Sequence, residues 1–243
     1  MSSYIYTAAG GPSAAPSPTI GCVVGSRPLA GVVVVAVDYR LAPEHPAPRG
    51  RRRVRRTRVG RDPAEAIGRL GGVAVADDSA GGTVAALAAL HLRGSDAAPD
   101  VLGLIYANTH LGADDGSMIS NGRGFALDAD DVTWFNRQWV PDPSRWSDGD
   151  VSPLMVDDLS GLASTVVVTC ELDPLRDQAE MFAVRLIEAG VTLTARRERG
   201  MVHNFLLWDL VARSCADAGN RVAFDLAGAL QRVNRLRGAD RAA

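Results

Sequence analysis

Asp77-Asp78-Ser79-Ala80-Gly81-Gly82 follows the apolar run Gly72-Val73-Ala74-Val75-Ala76 and opens a small-residue stretch that runs from Thr83 on to Leu90. An apolar strand, a serine among small residues and an Ala/Leu helix are the parts of a nucleophile elbow. In such an elbow a tight turn raises the serine hydroxyl clear of the sheet, and the helix N-terminus beneath it stabilises negative charge. The usual form is Gly-x-Ser-x-Gly, and here Asp77 stands at the first glycine's position, where strand and helix pack closely. The same six residues also suit a plain helix N-cap, in which Asp78 or Ser79 accepts backbone N–H groups and no chemistry is implied.

Outward from this stretch the chain alternates between short apolar runs and helical patterns, the signature of a mostly parallel sheet with helices on both faces. Upstream, Gly31-Val32-Val33-Val34-Val35-Ala36-Val37-Asp38 is a continuous β-branched run of the kind found in a central parallel strand. Downstream, Val101-Leu102-Gly103-Leu104-Ile105-Tyr106 and Ser164-Thr165-Val166-Val167-Val168-Thr169-Cys170 read as further strands. Residues 177–189 have helical periodicity and stop at Gly190, residues 191–196 form a strand, and residues 219–235 a closing amphipathic helix. Residues 1–30, rich in Gly, Pro, Ser and Ala, are expected to be irregular, leaving 31–243 as the folded domain. Residues 108–150, with many Asp, Gly and Pro and the aromatics Trp134, Phe135, Trp139 and Trp146, suit a cap-like insertion over a site.

Two further positions complete a constellation. Asp173 lies in Glu171-Leu172-Asp173-Pro174-Leu175, at the carboxyl end of a strand, where open α/β sheets collect ligand groups. His203 lies in the loop Gly200-Met201-Val202-His203-Asn204-Phe205 after the last strand. The chain order Ser, Asp, His is that of the α/β-hydrolase serine triad. In that chemistry His203 removes the Ser79 proton as the hydroxyl attacks an ester carbonyl, Asp173 orients the imidazole, and the Ala80 N–H is an oxyanion donor. Asp177 and Asp209 are alternative acids. Taken singly, each member has an ordinary structural reading: an Asp before Pro forms turns, and a lone His packs or faces solvent.

Asp38-Tyr39-Arg40-Leu41-Ala42-Pro43-Glu44-His45-Pro46, Asp78-Ser79-Ala80-Gly81-Gly82, Asp173-Pro174-Leu175-Arg176-Asp177 and Gly200-Met201-Val202-His203-Asn204-Phe205 together resemble the signature segments of the hormone-sensitive-lipase-like carboxylesterases. The resemblance implies an α/β-hydrolase fold, here incomplete at the N-terminus, that cleaves small carboxylic esters of short to medium acyl chain. It implies no cofactor and no metal, and a possible homodimer paired through the last strand and helix. Two segments depart from the family. Asp77 replaces the elbow glycine, and in place of a His-Gly-Gly-Gly oxyanion loop the chain offers Thr7-Ala8-Ala9-Gly10-Gly11. A catalytically impaired or inactive α/β-hydrolase-fold protein is therefore the alternative reading, since each lost oxyanion donor costs about 10²–10³ in turnover.

Residues 49–61 carry eight Arg in thirteen positions. No aromatic is interleaved there for base stacking and the formal charge of the whole chain is -2, so a nucleic-acid partner is not expected. Codons exist for residues 6–10 that read His-Gly-Gly-Gly two nucleotides later. Others exist for residues 49–61 whose one-nucleotide offset gives an amphipathic helix, so both segments are expected to be out-of-frame readings. The longest aliphatic run, Val32-Val33-Val34-Val35-Ala36-Val37, is far too short to cross a bilayer, and no signal-like segment is recognisable; a cytoplasmic protein without a membrane span is expected. Cys22, Cys170 and Cys215 are widely spaced, without the pattern of a zinc site or disulfide framework, and read as buried thiols.

Overall fold

The computed structural model describes residues 3–9, 32–38, 40–47, 72–114 and 116–240. Six strands, β1 (Ser3–Ala9), β2 (Val32–Asp38), β3 (Val73–Asp78), β4 (Val101–Ile105), β5 (Ser164–Leu172) and β6 (Leu193–Val202), pair in the order β2-β1-β3-β4-β5-β6. Every pairing is parallel, so the strands' carboxyl ends, where Ser79, Asp173 and His203 lie, share one edge of the sheet.

The two faces of the sheet are built by period-two alternation. Val101 and Ile105 of β4 and Val166, Val168 and Cys170 of β5 face one side, where they meet Ala218, Val222, Leu226, Ala229 and Leu230 of helix α5 (Arg213–Asp240). Leu102 and Leu104 of β4 and Val167 of β5 face the other side. There they meet Ala85, Ala86 and Ala89 of α1 (Ser79–Leu92) and Phe182, Ala183 and Leu186 of α4 (Arg176–Glu188). Covering both faces is why β4 is apolar at all five positions. Each fully buried aliphatic side chain contributes about 1.5–3 kcal/mol, and the alanines of α1 let its axis approach the sheet closely.

Two expectations change. Residues 1–30 were to be irregular, but Ser3–Ala9 is strand β1 and lies between β2 and β3. Its Tyr4-Ile5-Tyr6-Thr7 are strand-favouring residues whose signal is short and set among Gly, Pro and Ser. The β-branched run of β2, expected at the centre, is the outermost of the described strands on its side. Such a run specifies a strand, whereas its place in the sheet follows from how the chain crosses over.

Boundaries also move. β6 continues through Glu198 to Val202, because the Glu171 side chain accepts the Gly200 N–H at 2.7 Å and Leu172 pairs with Val202 beyond a register shift. The closing helix starts earlier than expected, at Arg213. Among the described residues of 108–150 lie two α-helices, α2 (Ser117–Ser120) and α3 (Ala129–Trp139), the second opened by an Asp128/Asp131 capping box. Cys170 and Cys215 are buried and free. Cys22, Gly10, Gly11 and the Arg-rich residues 49–61 lie outside the described residues. Among the described residues no helix is long and apolar enough to cross a membrane.

Candidate active site

Ser79 stands at the junction of β3 and α1 with φ 50, a left-handed backbone that a non-glycine residue holds only where its surroundings demand it. The turn is held from two sides. The Ser79 carbonyl accepts the Asn108 N–H at 3.2 Å, and the Thr83 hydroxyl on the next turn of α1 donates to the Asn108 carbonyl at 2.5 Å. Gly82 permits this approach, since a Cβ there would stand 2.5 Å from the Cβ of Ala107.

Asp77 does not displace the elbow. Its buried carboxyl accepts the Asp78 N–H at 2.8 Å and fills the space beside Gly81, where a Cβ would come within 2.1 Å of Asp77 Oδ2. The side chain missing from residue 81 makes room for the one gained at residue 77.

His203 follows the end of β6, and Asn204, at φ 61, turns the chain immediately after it. The imidazole is buried, with Nε2 2.9 Å from Ser79 Oγ and Nδ1 2.8 Å from Asp173 Oδ2. Asp173 is fully buried, and its other carboxylate oxygen accepts the Leu175 N–H at 2.8 Å, which fixes the carboxylate plane. The Asn121 side-chain amide donates to the carbonyls of Glu171 and Asp173 at 3.1 and 3.3 Å, tying the stretch after α2 to the acid's own loop. Of the three candidate acids, Asp173 is the one hydrogen-bonded to His203. Asp177 instead pairs with Arg176 at 2.7 Å, a hydrogen bond that holds its carboxyl below the usual range, and Asp209 lies beyond the 3-10 turn Phe205–Trp208.

Ala80 is exposed on the first turn of α1, where backbone N–H groups have no intrahelical acceptor. Burial raises the Asp78 carboxyl above its ordinary value, against the opposing pull of Asp77, His203 and Tyr106. Burial, followed by the nearby Asp78, likewise pushes the Tyr106 hydroxyl well up. No group of three or more potential metal ligands occurs among the described residues.

Ser79, His203 and Asp173, which lie far apart in the chain, thus meet in one hydrogen-bonded line. Residues 27–207 match the family model described as the alpha/beta hydrolase fold. The chain belongs to that family. Its similarity to the hormone-sensitive-lipase-like carboxylesterases extends to individual alpha/beta hydrolases. It is 34% identical over 213 residues to the carboxylic ester hydrolase LipN of Mycobacterium tuberculosis, covering 84% of this chain and 57% of that protein. It is 37% identical over 199 residues to the carboxylesterase NlhH of the same species, covering 79% and 62%. The chain therefore spans about three fifths of the length of these relatives. Among solved structures, EstE1, a thermostable carboxylesterase cloned from a metagenomic library, superposes with a TM-score of 0.79 at 29% identity, over 93% of this chain and 80% of EstE1.

Residues that the sequence did not mark also join the alpha/beta hydrolase site. Tyr106 packs on His203, Asn121 braces the Asp173 loop, and Asn108 bonds through its side chain to Asn136 of α3 at 3.0 Å. Tyr106 and Asn108 carry a positional signal, since both follow the carboxyl end of a parallel strand. Asn121 carries none.

Proposed function

We propose that this chain hydrolyses carboxylic esters with Ser79 as nucleophile, His203 as general base and acid, and Asp173 as the group that orients the imidazole. The observation that carries this reading is the unbroken line from Ser79 Oγ to His203 Nε2 at 2.9 Å and from Nδ1 to Asp173 Oδ2 at 2.8 Å. Carboxylate acceptance at Nδ1 favours the tautomer whose Nε2 lone pair faces the serine hydroxyl.

As Ser79 Oγ attacks the ester carbonyl carbon, its proton passes to Nε2, and the imidazolium so formed is stabilised by Asp173. The carbonyl oxygen becomes an oxyanion beside the Ala80 N–H, at the positive end of α1. Collapse of the tetrahedral adduct expels the alcohol, which takes the Nε2 proton and leaves an acyl-Ser79 ester. Water then attacks that ester with His203 again as base, releasing the carboxylic acid and restoring the hydroxyl.

The substrates are small-molecule esters of short to medium acyl chain, and residues 108–150 are the proposed cap, a reading supported by the Asn121 bond to the carbonyl of Asp173. Among the described residues one edge of β6 is unpaired, and that edge with α5 is the surface through which two copies would pair. The test is hydrolysis of p-nitrophenyl butyrate by the chain and by Ser79→Ala, with circular dichroism to confirm that both fold. Loss of turnover by about 10⁴-fold or more is expected from other serine hydrolases. Equal turnover in the folded Ser79→Ala protein overturns the assignment.

A further inference from the structure

Four non-glycine residues among those described hold a positive φ, and three of them lie at the proposed triad: Ser79 itself, Asn204 beside the base, and Tyr106, at φ 37. Tyr106 has no part in the proton relay, yet an aromatic residue in this conformation is disfavoured and persists only where its environment over-determines it. Its backbone is anchored by donation of its N–H to the Val168 carbonyl of β5 at 2.7 Å. Two residues later Asn108 bonds to the Ser79 carbonyl, so the segment 106–108 links β5 to the nucleophile turn.

The ring itself is fully buried and meets two residues of the turn that carries the base. It makes a T-shaped contact with the His203 imidazole, centroids 4.8 Å apart at 61°, and another with Phe205 at 5.5 Å and 74°. Its hydroxyl lies beside the Asp78 carboxyl without meeting a regular hydrogen-bond geometry. The ring is what touches the base.

Resting on the triad reading above, we infer that Tyr106 is a positioning residue for His203, and that its strained backbone is the means of placing an aromatic wall against the imidazole. The hydrogen bonds at Nε2 and Nδ1 fix the two ends of the imidazole but leave the ring free to tip about the line joining them. A rigid aromatic wall blocks that tipping. The need is greatest after proton transfer, when the Ser79 bond is lost and Nε2 must be aimed at the departing alcohol.

The test compares wild type, Tyr106→Phe and Tyr106→Leu in the full chain. Rates are expressed per active site, counted by a stoichiometric burst with a fluorophosphonate that labels Ser79. Tyr106→Leu is expected to lower kcat per labelled site by about 10- to 100-fold, the range for a reacting group misplaced by about 1 Å, with KM unchanged. Tyr106→Phe, which keeps the ring, is expected to restore most of that loss. A merely structural role would reduce the number of labelled sites and leave kcat per site unaltered.

The inference is overturned if Tyr106→Leu retains kcat per site within about twofold of wild type, or if Tyr106→Phe loses as much as Tyr106→Leu. Should Tyr106→Leu fail to fold by circular dichroism, the unbranched Tyr106→Met carries the same comparison, and Tyr106→Phe remains decisive by itself if its kcat per site collapses. Failure of the esterase reading is separately visible, because wild type would then show neither Ser79-dependent turnover nor a fluorophosphonate burst.

Discussion

Asp77 and Gly81 should behave as a single unit, and the cycle formed by Gly81→Ala, Asp77→Gly and the double variant measures their coupling. A Cβ on residue 81 would stand 2.1 Å from Asp77 Oδ2, 2.3 Å from its Cγ and 2.8 Å from Oδ1, all inside any tolerable contact. The carboxyl cannot swing aside without cost, because it is buried and accepts the Asp78 N–H at 2.8 Å. Leaving the buried Asp78 N–H unsatisfied costs about 1–3 kcal/mol, and overpacking adds about 1–3 kcal/mol. Alanine's better helix propensity returns about 1 kcal/mol, so Gly81→Ala alone should destabilise by about 1–5 kcal/mol. Once Asp77→Gly has emptied the space, the same substitution should be neutral or stabilising by up to about 1 kcal/mol. Urea unfolding followed by circular dichroism on the four proteins gives the interaction energy directly. Ester turnover should follow it, because any shift of residues 77–81 displaces Ser79 Oγ from His203. If the two effects add to within about 0.5 kcal/mol, the two residues are independent and the packing account of the elbow is refuted.

Asp173→Asn should leave the fold intact yet lower kcat by about 10⁴-fold, because an amide facing Nδ1 no longer enforces the productive tautomer. Initial rates with a p-nitrophenyl ester check this, and a loss of less than about tenfold would remove Asp173 from the mechanism. The Asp78 carboxyl, raised by burial, binds its proton more tightly in the folded chain than in the unfolded one. Its contribution to stability is therefore fully present below the ordinary carboxylate range and is lost as pH rises through the elevated folded value. Asp78→Asn should accordingly gain stability relative to wild type as pH rises through that window and show no gain in acid. Urea midpoints at several pH values read the difference, and a gap that does not widen with pH would contradict the assignment.

The members of the proposed triad were legible because each sits at a strand end, and strand ends are what hydrophobic patterning locates best. The runs of β4 and β5 and the small residues around Ser79 place Ser79 and Asp173 at one edge of a parallel sheet before any coordinate is known. His203 was placed by chain order, even though β6 runs further than its apolar pattern, which Arg196, Arg197, Glu198 and Arg199 interrupt. Those charges look like a loop in the sequence. They are strand residues because Arg196 pairs with Asp225 of α5 at 2.7 Å, and the buried Glu198 takes Arg221 of the same helix at 2.5 Å.

The positions that sequence did not yield share a different property, namely that their role is decided by a partner remote in the chain. Asn121 is one more polar residue in a stretch rich in Asp and Gly until the Asp173 loop arrives beside it, 52 residues on. Asp77 reads as damage to the elbow when weighed against a motif, and as a fitted piece when weighed against the empty side of Gly81. The elbow's true constraint is that residues 77 and 81 share one volume, so a glycine on one side can license a carboxyl on the other. Two glycines satisfy that constraint and so does the pair found here. What distinguishes the two solutions is a carboxyl at the end of β3, packed beside Gly81 in the first turn of α1. Residues 77 and 81 thus set the place of Ser79 together, and turnover should respond to either substitution made alone and recover in the double variant.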